Sequence, residues 1–151
     1  MTMPHAQAVQ ITGDALARAV AGDARGGAEL LVPLIADGRR TAYGLAAALA
    51  ETASFIARRE QQPGTFFGTT VDNVVTGEPV GIEELPPEIQ FAAQFTTAWA
   101  NRDQDAAMAL FGALVNKAEA SEGAELVDGL LALFQMAVAT AKAVCAQGRR
   151  S

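Results

Sequence analysis

The sequence predicts an all-α protein: a single-domain bundle of about five to six helices, arranged as helical hairpins around an acidic, Gly/Pro-containing irregular insert over 61–86. Three observations carry this. Apolar residues recur at helical spacing in long Ala/Leu-rich stretches on both sides of the insert. No sustained period-two alternation occurs anywhere, so no sheet has a pattern to form on. Alanine, frequent elsewhere, is missing between Ala57 and Ala92, where glycines, prolines and acids replace it.

The elements follow in chain order. Val9, Leu16 and Val20 mark a modest first helix over 7–21, weakened by Gly13 and closed by Gly22-Asp23. Leu30, Leu31, Leu34 and Ile35 mark a second over 28–36, with Pro33 placed near its first turns and Asp37-Gly38 as the following turn. Leu45, Leu49, Thr52 and Ile56 predict one long helix over 41–61, with Arg58 and Arg59 at its negative end and Pro63-Gly64 as its stop. Within the insert, Thr65–Val75 reads as a loop first, a short strand second and a single turn of helix third, since a lone strand has no visible partner. Pro86-Pro87 then opens a helix over 87–101 with Phe91, Phe95 and Trp99 on one face. Asp103 or Asp105 caps the next helix, which runs to 120 on Leu110, Phe111, Leu114 and Val115. Ser121 is the expected cap of the last helix, to 147, whose apolar stripe from Leu126 to Cys145 is wide enough for a central helix or a dimer interface. A shift that lays Leu45, Ala48, Leu49 and Ala53 on Leu110, Ala113, Leu114 and Ala118 suggests a repeated helical hairpin.

The chain of 151 residues suits one domain, 1–151, with a sizeable core; 50% of it is hydrophobic and 19% charged. The net charge of −6 is concentrated in Gln61–Gln90, where Asp72, Glu78, Glu83, Glu84 and Glu88 meet no Lys or Arg. An acidic chain without a basic stripe argues against nucleic-acid binding. The N-terminus lacks the basic and apolar regions of a signal peptide. The charge-free run from Gly129 to Ala141 is too short to span a bilayer, so a cytoplasmic location without membrane contact is expected. The Ala/Arg/Gly bias suggests a bacterial source.

Catalytic chemistry finds little to work with. His5 is the only histidine, which removes histidine triads and two-histidine metal sites. Cys145 is the only cysteine, so no internal disulfide or cysteine zinc cluster forms. Glu119, Glu122, Glu125 and Asp128 suit the positive end of a helix better than a metal. Tyr43 and Cys145 lack an activating neighbour in sequence, and Arg39-Arg40 reads as a salt-bridge donor or an anion contact. No enzyme activity, cofactor or metal is expected.

The leading expectation is a non-catalytic interaction or regulatory protein, a homodimer, whose acidic insert contacts a protein partner through Phe66, Phe67, Asp72, Glu78, Glu83 and Glu84. The alternative is a small-ligand-binding bundle with an apolar pocket between helices, lined by Phe95, Trp99, Met108, Phe134 and Met136.

Overall fold

The computed structural model describes residues 3–60, 71–72, 79–80 and 84–150. They form an all-α bundle: α1 (His5–Val20), α2 (Ala24–Ala36), α3 (Arg39–Ala53), the short α4 (Phe55–Glu60), α5 (Pro87–Ala100), α6 (Gln104–Ala120) and α7 (Ala124–Arg150). Between α4 and α5, β1 (Val71–Asp72) pairs antiparallel with β2 (Pro79–Val80), in the register Val71 to Val80 and Asp72 to Pro79. Of Thr65–Val75 only Val71–Asp72 is among the described residues; it forms a short strand, the second reading of this stretch and not the loop ranked first, and its partner is Pro79–Val80.

Several boundaries differ from expectation for local reasons. α2 starts at Ala24 because the Asp23 carboxylate accepts a hydrogen bond from Gly26 N at 2.9 Å, so Gly26-Gly27 lies in the first turn and Pro33 in the last half. α3 starts at Arg39, after Gly38 at φ 133°, which makes Arg39 and Arg40 its first residues. The long helix expected over 41–61 is two helices. The buried Ser54 hydroxyl donates back to Ala50 O at 2.8 Å and the chain re-starts at Phe55, a competition with the helix ladder open to serine. Asp103, not Asp105, caps α6, accepting from Ala106 N at 3.1 Å. Ser121 ends α6 and does not begin α7; Glu122 (φ 59°) and Gly123 (φ 92°) make the left-handed turn between them.

The bundle repeats one three-helix unit, in a register different from the sequence echo. Asp23 N bonds Arg18 O and Gly27 N bonds Asp23 O; Asp103 N bonds Ala98 O and Ala107 N bonds Asp103 O. Gly22 and Arg102, one residue before each aspartate, both have positive φ. The buried residues correspond as well: Thr12 and Ala15 with Ala92 and Phe95, and Gly27, Leu31 and Leu34 with Ala107, Phe111 and Leu114. α1–α2–α3 therefore matches α5–α6–α7. α6 has 17 residues against 13 in α2, one extra turn, after which Ala46, Leu49, Ala50 and Ala53 of α3 match Leu130, Leu133, Phe134 and Ala137 of α7.

α7 is the axis of the bundle and packs on every other helix. Within Ala124–Gly148 an 18-residue window reaches a mean hydropathy of 1.6, that of a membrane span; 39% of it is buried in the bundle, Leu130, Leu133, Phe134 and Ala137 among the buried residues. Phe91 and Phe95 are core residues, and the half-buried Trp99 packs against them; Phe95 is fully buried and stacks on Trp99 at 6.2 Å. Tyr43 stands edge-on to Phe95 and Phe111, closing α3 onto α5 and α6. Its phenol pKa is raised by burial.

Candidate functional site

α5, α6 and α7 enclose a cleft of about 380 Å³ at the end of the bundle where α5 and α7 begin. Its floor is apolar, from Phe91, Leu110, Ala113 and Leu114. Its rim is acidic: Glu88 from the first turn of α5, and Glu125 and Asp128 from α7. The spacing of Glu125 and Asp128 puts both carboxylates on one side of α7. Lys117 of α6 also lines the cleft, and among the described residues it forms no ion pair with these acids.

Helix geometry brings these groups together. Pro87 fixes the first turn of α5, so that Glu88 sits where a carboxylate is favoured by the helix dipole. Gly129 lets α7 approach α5 and α6; a Cβ there would lie 2.9 Å from Leu114 Cδ2 and 3.2 Å from Phe91 Cδ2. The Oε2 atom of Glu125 is buried and accepts no hydrogen bond. A buried carboxylate oxygen without a donor is costly, and such groups are usually satisfied. Among the described residues no three His, Cys, Asp or Glu side chains gather closely enough to hold a metal ion. The arrangement suits a larger cation carrying apolar carbon.

The acidic segment rejoins the described residues at Glu84, three residues before α5. Glu84, at the start of the turn into α5, is exposed. At the other end of the segment, Arg59 Nη2 donates to Gln147 Oε1 at 2.7 Å, near the far end of α7. By helix rise, Gln147 and Ala124 lie about 35 Å apart, so the segment leaves and rejoins the bundle at opposite ends. Phe66, Phe67, Glu78 and Glu83 lie outside the described residues; of Asp72 only its place in β1 is described.

Of the five residues expected to line an apolar pocket, Phe95 and Trp99 stack on each other. Phe95 and Phe134 are buried in the core, Met136 and Trp99 are half-buried, and Met108 is 59% exposed on α6. None of them lines the α5–α6–α7 cleft; Phe134 borders a smaller depression of about 160 Å³ between α2 and α7. The cleft residues were visible in sequence only in part. Glu125 and Asp128 stand out by spacing, but their pairing with Glu88 depends on α5 lying beside α7.

Comparison with known protein families, curated proteins and solved structures finds no match to this chain.

Proposed function

We propose that this is a non-catalytic interaction protein whose acidic cleft receives a basic side chain of a protein partner, the acidic segment before α5 contributing to the same contact. The observation that carries this reading is the Glu125 Oε2 atom, buried at the cleft without a donor. A lysine or arginine side chain supplies what the cleft lacks. Its head provides N–H donors for Glu125, Glu88 and Asp128, and its methylene stem covers Phe91, Leu110 and Leu114. The neighbouring charge at Glu84 extends the negative field and favours approach of a basic surface.

The test is a titration of ¹⁵N-labelled protein with a lysine- and arginine-containing amphipathic peptide, alongside its glutamate-substituted counterpart. Saturable shifts confined to the amides of α5 and α7 around Glu88, Glu125 and Asp128 are expected with the basic peptide only. Glu88→Lys combined with Asp128→Lys should abolish them with the fold intact. Equal response to both peptides, or a response unchanged in the double variant, refutes the reading.

A further inference from the structure

The repeat of the fold places a second cleft opposite the first in charge. Between α1 and α3 lies a groove of about 380 Å³, and five of its eleven lining residues stand at positions equivalent to lining residues of the acidic cleft. Ala8 stands where Glu88 does, Leu34 where Leu114 does, and Arg40, Thr41 and Gly44 where Ala124, Glu125 and Asp128 do. Of the cleft's apolar floor only the Leu114 position is shared, as Leu34, while each of the three acids is replaced by an uncharged residue. A cation, Arg40, has appeared on the rim.

Arg40 forms no ion pair among the described residues. It belongs to the first turn of α3, whose cap Gly38 offers no side-chain hydrogen bond, leaving first-turn N–H groups without intrahelical partners. His5 lies on the same rim. The acid of this region, Asp37, already accepts from Met3 N at 2.9 Å and from Thr41 Oγ1 at 2.6 Å. The rest of the groove is mainly apolar, formed by Met3, Val9, Leu45 and Ala48 with Thr12, whose hydroxyl donates to Ala8 O. Its size falls in the usual range for small-molecule sites. An unpaired guanidinium over an apolar groove complements a carboxylate that carries a hydrocarbon body.

We infer that the α1–α3 groove is a binding site for an apolar monocarboxylate of the size of a medium-chain fatty acid, with Arg40 holding the carboxylate. This rests on the fold repeat and on Arg40, and stands whether or not the acidic cleft binds a basic partner.

Decanoate, decanol and decylamine, which share one tail, are titrated against ¹⁵N-labelled protein. Decanoate should give saturable shifts at the amides of Ala8, Thr41, Gly44 and Leu45, with decanol and decylamine much weaker. Arg40→Ala should weaken decanoate about tenfold, as expected for one charge-assisted contact. Gly44→Asp restores the acid of the other cleft at a position where a Cβ meets nothing within 4 Å, so the fold should be kept while decanoate binding is lost. Binding of decanol as tight as that of decanoate, no saturable binding, shifts on α5 to α7 instead, or indifference to Arg40→Ala would each overturn the inference.

Discussion

Trp99 Nε1 donates a hydrogen bond to Glu51 Oε2 at 2.6 Å, joining the C-terminal end of α5 to that of α3. The same oxygen lies 3.4 Å from Arg102 Nη1, and the other, Oε1, pairs with Arg58 of α4. One half-exposed carboxylate thus ties together α3, α4, the end of α5 and the turn before α6. Arg58, chiefly by its hydrogen bond, holds the Glu51 carboxyl below its ordinary pKa; partial burial opposes this and the Trp99 bond adds to it.

Glu51→Gln should therefore lower stability, by about 1 kcal/mol or less at neutral pH because the group is well solvated. The sign of the pH dependence follows from the depressed pKa. The contribution of Glu51 is fully present above its unfolded value, and disappears as pH falls through the lower folded value. The gap between wild type and Glu51→Gln should close in acid. Trp99 is the only tryptophan, so its fluorescence in chemical denaturation at pH 7 and at pH 3 reads the effect. A gap that persists at the lower pH would deny the charge any role.

The fold class was legible in the sequence because helical periodicity and the absence of alternation are local signals, and the aromatic face of Phe91 and Phe95 correctly announced core. What escaped were contacts between distant segments. Asp23 as a cap was masked by the glycines after it, which read as a break although the carboxylate turns them into a helix start. The sequence echo matched the second and third helices to the fifth and sixth; the structural repeat runs from the first and fifth, which share few side chains. Ala15 against Phe95 illustrates this: equivalent and fully buried places, very different volumes. The acidic cleft was hidden for the same reason, since Glu88 and Glu125 meet only through the packing of α5 on α7.

If the two turns are built alike, their caps should be worth alike. Asp23→Ala and Asp103→Ala each remove a carboxylate that accepts one backbone N–H, from Gly26 and Ala106 respectively. Each should cost about 1 kcal/mol. Urea denaturation of the two single variants checks this. A loss in only one of them would show that the repeated geometry does not carry repeated energetics.

Three helical glycines should respond differently to alanine. At Gly27 a Cβ would lie 2.5 Å from Ala15 O, a backbone atom with no room to yield, so α1 and α2 must separate. Gly27→Ala should destabilise by about 1–3 kcal/mol despite the better helix propensity of alanine. At Gly129 the obstacle is a Leu114 methyl at 2.9 Å, which can move, and the loss should be smaller. At Gly44 nothing lies within 4 Å, so Gly44→Ala should stabilise by about 0.5–1 kcal/mol. Melting temperatures in the order Gly44→Ala, wild type, Gly129→Ala, Gly27→Ala are expected, and Gly27→Ala melting at or above wild type would contradict the close approach of α1 to α2.

Glu83→Lys with Glu84→Lys tests the acidic segment as a partner contact. Glu84 is exposed, so its replacement removes negative charge beside the cleft without opening the core. The basic peptide should bind more slowly and more weakly, with the difference shrinking as salt is added, because charges at a rim act mainly through the field they project. Stability should change by less than about 0.5 kcal/mol. Association rates measured across a salt series, unchanged from wild type at low salt, would remove the segment from the contact.

Glu125 separates the binding role of the cleft from a purely structural one. A carboxylate in the first turn of α7 gains about 0.3–1 kcal/mol from the helix dipole. Its buried Oε2 atom, lacking a donor, costs about 1–3 kcal/mol. The second quantity is the larger, so Glu125→Leu should stabilise the free protein by about 1 kcal/mol, while removing an acceptor the basic partner needs. Stability and binding should move in opposite directions in this one variant, the pattern of a residue kept for function at the expense of the fold. Thermal denaturation and peptide titration of Glu125→Leu give both readings. A variant that is less stable and binds the peptide as well as wild type would make Glu125 a helix-dipole residue, with no part in recognition.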